Sequence, residues 1–236
     1  MANRLFTISD PNPGASITVE GKQYPLYYST EHRGAFQALK MNVKATGPLQ
    51  RLIVYPQIRH FPKREDTYQL GFQVVGFVGR KPVSGCISEE LQDFEFRMAG
   101  LWQFIPVCPM PCLTVLKNFS QERLVFIKEA DVSAKVKFMK GSHIPLLWSN
   151  PPVRPFRFNP RLDKEQQGSS PFVQITARFL PDRDAFEFVA MRSLPATNPP
   201  KFLKAGKKDK ADVLAKSKTQ QGKAKRVVES PKRSPR

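Results

Sequence analysis

Tyr68-Gln69-Leu70-Gly71-Phe72-Gln73-Val74-Val75-Gly76-Phe77-Val78 places Leu70, Phe72, Val74, Gly76 and Val78 on one side of an extended chain. Such strict alternation marks a half-buried β-strand, because successive strand side chains point to opposite faces. Asp93–Ile105 repeats the pattern with Phe94, Phe96, Met98, Gly100, Trp102 and Phe104 on one face. These two stretches set the fold class, and the other segments follow outward from them.

Upstream, Arg51–Ile58 is rich in β-branched and aromatic residues and reads as a third strand. Leu5–Ile8, Ser16–Val19 and Tyr24–Tyr28 are shorter candidates, the last two separated by turn residues around Gly21. Phe36–Lys44 reads either way, as a helix through Ala-Phe-Gln-Ala-Leu-Lys-Met or as alternation through Met41–Lys44. Downstream, Leu113–Leu116, Arg123–Lys128 and Ser133–Met139 follow as short strands. A final hairpin joins Phe172–Leu180 to Ala185–Met191 through Pro181-Asp182-Arg183-Asp184.

Many short strands and 22 prolines predict a mainly β protein. Gly71, Gly76, Gly79, Gly85 and Gly100 in or beside strands suit the bends of a small closed barrel. The expected fold is therefore a small β-barrel of oligonucleotide-binding (OB-like) Greek-key type, fitted to Tyr68–Met139, or else a sandwich. Residues 1–200 form the expected β-rich domain, with 1–46 as a candidate semi-separate N-terminal sheet. Residues 149–170 are an extended Pro/Arg-rich connection, and 201–236 a disordered basic tail.

The charge supports that tail. The 236 residues carry 38 Lys plus Arg against 20 Asp plus Glu, a formal +18. Residues 201–236 hold 13 of those basic groups and only three acidic ones, with no aromatic beyond Phe202. Too little apolar surface is available there to offset chain ordering, although a short helix near Lys210–Lys218 can form on binding. Lys207, Lys208, Lys225 and Arg226 lie in its densest clusters and suit phosphates, which polycations attract through counterion release. The 40% hydrophobic content and 18 Phe exclude global disorder. No apolar run is long enough for a membrane-spanning helix. Met1–Thr7 meets Ser9, Asp10 and Pro11 before a secretory signal develops, so a soluble, intracellular protein of cytoplasm, nucleoid or nucleus is expected.

The usual catalytic motifs are missing: no phosphate loop, dinucleotide fingerprint, nucleophile elbow or His pair at helical spacing. His32, His60 and His143 are too scattered in sequence to form a relay. Glu89/Glu90 and Glu129 with Asp131 read as loop solvation. Cys108 and Cys112 have a spacing that zinc permits, with Cys86 as a third thiol. Their apolar surroundings favour small buried hydrophobes instead. No cofactor, metal or catalytic residue is assigned, and the odd thiol count points to a reducing compartment.

Cations and aromatics coincide in three places. On the 51–63 strand, Arg51, Ile53, Tyr55, Gln57, Arg59, Phe61 and Lys63 share a face opposite Leu52, Val54, Pro56, Ile58 and His60. Arg154-Pro155-Phe156-Arg157-Phe158-Asn159-Pro160-Arg161 is the second. Lys135, Lys137 and Lys140 make a smaller row, extended by Arg178 and Arg192. Guanidinium groups bind phosphate bidentately and aromatic rings stack on any base, so these stretches fit a single strand of nucleic acid. The expected function is non-enzymatic binding of single-stranded or structured RNA, or of single-stranded DNA. The alternative is a protein-interaction module whose tail docks on RNA, an acidic partner or an anionic surface.

Overall fold

The computed structural model describes residues 2–9, 15–28, 33–61, 68–78, 90–116, 121–163, 165–203 and 205–215. Its largest unit comprises residues 1–115 and 142–199, and it holds two rings of strands. The first contains β1 (Ala2–Ser9), β2 (Ser16–Val19), β3 (Lys22–Tyr27), β4 (Leu49–His60) and β5 (Tyr68–Phe77). β1 pairs with both β2 and β4, β2 with β3, β4 with β5, and β3 runs parallel to β5. The described strands before residue 46, β1, β2 and β3, therefore belong to the same ring as β4 and β5, and not to a sheet of their own.

The second ring contains β6 (Glu95–Gln103), β7 (Cys112–Val115), β8 (Ser142–Leu147), β9 (Phe172–Leu180) and β10 (Ala185–Met191). Its pairing repeats the first: β6 with β7 and β9, β7 with β8, β9 with β10, and β8 parallel to β10. A barrel spanning Tyr68–Met139 thus does not form. That span takes the last strand of one ring and the first two of the next, because β5 closes backward onto β3 and β4.

The alternating patterns are borne out where they are longest. Leu70, Phe72 and Val74 are buried on β5, Phe94 is buried just ahead of β6, and Phe96, Met98 and Trp102 are buried along β6. Phe36–Lys44 resolves as helix α1 (Arg33–Thr46). Phe36 and Leu39 are buried and Val43 packs against the core, a helical spacing, while Met41 faces outward. Gly47 ends α1 at φ 93°, its N–H donating to the Val43 carbonyl at 2.9 Å. Buried Gln50 on β4 completes the cap. Its Nε2 donates to the Gly47 carbonyl (2.7 Å) and to Thr46 Oγ1 (2.9 Å), while its Oε1 accepts from Asn42 Nδ2 (2.6 Å).

Two strand expectations are overturned. Arg123–Lys128 lies in helix α2 (Gln121–Glu129), and Ser133–Met139 in helix α3 (Val132–Phe138). Asp131 Oδ1 accepts from the Ser133 N–H at 2.8 Å, an N-cap that alternation alone does not reveal. Lys135 and Lys137 consequently do not share a strand face. These helices belong to the second unit, residues 116–141 and 200–236, which also contains a helix over 207–215. No helix among the described residues is long and apolar enough to cross a membrane.

One core serves both barrels. The Phe72 ring meets Phe179 edge-on with centroids 5.3 Å apart, and Tyr24 lies 5.6 Å from Phe72 and 5.5 Å from Phe179. Phe96 stacks at 6.3 Å on Phe72 and meets Phe186 edge-on at 5.1 Å. Asp184, in the left-handed region at φ 50°, anchors the polar rim of this junction. Its carboxylate accepts from Lys22 Nζ (2.5 Å) and the Tyr24 hydroxyl (2.8 Å), and its carbonyl from the Tyr68 hydroxyl (3.1 Å).

Candidate nucleic-acid interface

The first surface is the outer face of β3, β5 and β4. Because Leu52 and Val54 are fully buried, the period of the strand turns Arg51, Tyr55 and Arg59 outward, as the sequence predicts. Register adds a residue that periodicity alone misses. Tyr27 on β3 pairs with Gln73 on β5, and Tyr55 on β4 pairs with the same Gln73. A phenol, an amide and a second phenol therefore stand in a row across three strands, the phenols roughly 10 Å apart by strand spacing.

Gln57 Nε2 donates to Gln73 Oε1 at 2.9 Å, which fixes the central amide. A Cβ at Gly71 would stand 2.7 Å from Tyr27 Cε2, so the Tyr27 ring leans over a position only glycine fills. Arg51 is partly neutralised by Asp93 at 3.4 Å. Phe61 is half-buried beside this face, and Lys63 lies outside the described residues.

The second surface is the connection from β8 to β9. Phe156 is tied to the end of β6, its N–H donating to the Trp102 carbonyl (3.0 Å) and its carbonyl accepting from Phe104 N–H (2.7 Å). Arg157 then lies over the Phe104 ring at 4.0 Å from the centroid, a cation–π contact that holds the guanidinium in place. Phe158 follows at 64% exposed. The loop beyond is stitched by Gln167, whose Oε1 accepts from Asn159 N–H (3.1 Å). Its Nε2 donates to the carbonyls of Asn159 (2.5 Å) and Leu162 (2.9 Å). Arg154, Arg157 and Arg161 are all exposed on this ordered loop. Phe156 anchors the loop and Phe158 projects from it, so the two rings play different parts.

Among the described residues Arg59, Arg154, Arg157 and Arg161 form no ion pair, which leaves them available to an anion. Arg178 and Arg97, by contrast, are engaged by Glu95 and Glu90, and Arg192 by Glu90 at 3.6 Å. Lys135 is half-buried on α3, and Lys137 lies on the same helix. Lys207 and Lys208 are exposed on the 207–215 helix, whereas Lys225 and Arg226 lie outside the described residues.

His60 and His143, far apart in sequence, meet in the fold. His60 Nε2 donates to the His143 carbonyl at 2.9 Å, and the rings lie 6.0 Å apart. The His143 side chain bonds Thr114 Oγ1 at 2.9 Å, and Thr114 accepts from Gln103 Nε2 at 2.8 Å. Burial pushes the nearby Tyr68 hydroxyl up to about 12, and burial followed by the Asp184 hydrogen bond pushes Tyr24 higher still. Among the described residues no three His, Cys, Asp or Glu side chains gather to hold a metal ion. No family model, curated protein or solved structure matches the chain.

Proposed function

We propose that the protein binds single-stranded nucleic acid, without catalysis, on the Tyr27–Gln73–Tyr55 row and the Arg154–Arg161 loop. The observation that carries the reading is the pairing order. In each ring the first strand pairs with the second and fourth, the second with the third, and the third runs parallel to the fifth. We read this order as that of a five-stranded OB-like Greek-key barrel, a fold class whose outer strands and loops bind oligonucleotides.

The side chains support the same chemistry. Exposed Tyr27, Tyr55 and Phe158 offer flat apolar faces at which unpaired bases stack, and duplex bases do not present theirs. Arg59, Arg154, Arg157 and Arg161 supply the phosphate contacts, and the basic tail adds attraction blind to sequence.

Fluorescence anisotropy of labelled single-stranded RNA, single-stranded DNA and duplex DNA across a salt series tests this with the full chain. Replacing Arg154, Arg157 and Arg161 with Gln should lower the slope of log affinity against log salt by about 2. Neutralising the tail lysines should weaken binding yet leave a preference for single strands. If tail neutralisation abolishes binding and the loop variant changes nothing, the barrels do not bind nucleic acid. The tail then docks on polyanions while the barrels serve a protein partner.

A further inference from the structure

The second barrel has its own counterpart of the face that carries Tyr55 and Gln73. By pairing order, β9 and β10 stand where β4 and β5 stand in the first ring, and β6 stands where β1 does. Burial shows which side chains face outward there. Phe96 and Met98 are buried on β6, and Ile175 and Ala177 on β9, so Arg97 and Thr176 point outward and are paired across the two strands. Thr176 also pairs with Ala190 on β10. Just beyond β10, Arg192 donates its N–H to the Gln174 carbonyl at 2.8 Å, which holds it beside β9. Arginines from opposite sides of β9 thus stand on this face, where the first barrel carries phenol rings.

One oxygen joins them. Glu90 Oε2, ahead of β6, accepts from Arg97 Nη2 and lies 3.6 Å from Arg192 Nη2. The Arg97 fork is only half filled: Nε, on the same edge as Nη2, is buried and has no hydrogen-bond partner among the described residues. Glu90 reaches the fork with one oxygen, whereas a phosphate group presents two, one to each nitrogen. The neighbouring pair is built differently. Glu95 is buried, its Oε2 accepts from the Gln92 N–H at 3.0 Å and its Oε1 from Arg178 at 3.2 Å, so both oxygens are fixed. The Glu90 side chain is 59% exposed and bonds only these two guanidinium groups among the described residues. Ion pairs so open to water are weak and readily exchanged.

We propose that Arg97 and Arg192 form a phosphodiester subsite on the second barrel, which Glu90 occupies until single-stranded nucleic acid displaces it. The inference rests on the binding function proposed above and adds its regulation: the chain carries an internal anion that competes with the strand. A phosphate exchanged for Glu90 keeps both arginines neutralised and fills the free Nε. The exchange therefore gives up exposed, single-oxygen contacts for a bidentate one, and the freed carboxylate returns to water. Because the contact is to phosphate, the competition is the same for every base sequence.

The test follows anisotropy of labelled oligothymidylate and oligouridylate strands of about 30 nucleotides, the span of two such barrels, on the full chain. Glu90→Gln should bind about twofold to fivefold tighter. Its slope of log affinity against log salt should steepen by about 0.7, one further phosphate contact. Glu187→Gln removes the same charge from an exposed position of β10 that pairs with Arg178, away from the clamp, and should gain less. Arg192→Gln should weaken binding and, combined with Glu90→Gln, erase the gain. Matching urea midpoints will show that these exposed substitutions leave the fold intact. A gain that survives Arg192→Gln, or that Glu187→Gln equals, overturns the subsite, since long-range charge then explains it. The Arg97 Nε–H signal in proton–nitrogen spectra supplies a second readout. Strands should shift it further than inorganic phosphate at equal ionic strength. If inorganic phosphate shifts it as far while Glu90→Gln leaves strand affinity unchanged, the clamp takes free phosphate and the strand is overturned as its ligand. Single-strand binding indifferent to all these changes sinks this inference alone. Binding lost entirely on tail neutralisation sinks the proposed function and this inference with it.

Discussion

The two barrels close in the same way and are interrupted in different places. In the first, α1 fills the passage between the third and fourth strands. In the second, α2 and α3 fall between the second and third strands, and the passage from third to fourth is the ordered Arg/Phe loop. The parallel seam nevertheless recurs almost residue for residue. Leu26 faces Phe72 and Tyr27 faces Gln73 in one barrel, and Leu146 faces Phe186 and Leu147 faces Glu187 in the other. Each seam sets a buried Leu opposite a buried Phe. Both rings thus close through the same inner pair, although the segments inserted between their strands differ. The candidate contacts divide accordingly: the first barrel carries them on strands, where alternation fixes them, and the second on a loop, where Gln167 fixes them.

If the barrels share one core, damage to either side of it must unfold both. Phe179→Ala and Phe72→Ala should each cost about 4 kcal/mol. Urea unfolding followed by circular dichroism should keep a single transition at a lower midpoint. Two separated transitions would make the barrels independent bodies.

Closure of the second barrel is the next test. A Cβ at Gly100 would lie 2.5 Å from the Thr114 carbonyl oxygen, a backbone atom that cannot step aside. Gly100→Ala should destabilise by about 3 kcal/mol. Gly76→Ala in the first barrel meets nothing nearer than Ile53 Cδ1 at 3.8 Å and should change stability by less than about 1 kcal/mol. Equal losses would mean that the close approach at Gly100 is relieved by movement of β7.

The junction should titrate. Tyr24 and Tyr68 hydroxyls are held above their ordinary value of 10.0 by burial first, then by the neighbouring Asp184 for Tyr24 and by Cys108 for Tyr68. The unfolded chain ionises first as pH rises, so their contribution is complete below pH 10.0 and is lost as pH climbs towards about 12. Tyrosinate absorbance and the urea midpoint should move together over that range. Tyr24→Phe, which removes the bonds to Asp184 and Pro181, should cost about 1–2 kcal/mol at neutral pH and flatten the alkaline loss.

The smallest expected effect separates strand from loop. Phe158→Ala should leave the urea midpoint within about 0.5 kcal/mol of wild type and still weaken single-strand binding by about 1 kcal/mol. Tyr55→Ala should do the same on the first barrel. A binding loss confined to one variant would assign the ligand to one barrel alone.

Strands long enough to alternate five or six times were legible in the sequence: β4, β5, β6 and the final hairpin all stand where their patterns predict. The short windows Leu5–Ile8, Ser16–Val19, Tyr24–Tyr28 and Leu113–Leu116 also fall on strands, whereas two others failed for a physical reason. Arg123–Lys128 and Ser133–Met139 are too brief for two-residue and 3.6-residue periods to be told apart, and only the Asp131 cap separates them. β8 went unread because Ser-His-Ile-Pro-Leu-Leu carries a proline and no alternation, being buried through its middle. The candidate site was half visible. Arg51, Tyr55 and Arg59 follow from the period of one strand, whereas Tyr27 joins them only through a parallel register. The support of Arg157 by Phe104 likewise depends on pairing between segments distant in sequence.

Because Phe72 and Phe179 bury one another, the covalent link between Val78 and Glu90 is not what holds the two halves together. A protease that cut in that interval would leave a nicked protein eluting as one particle. A gene split at the same place would still yield the whole assembly from two polypeptides, provided both were made together. Either half expressed alone would display a wet aromatic face and come out of the cell as aggregate.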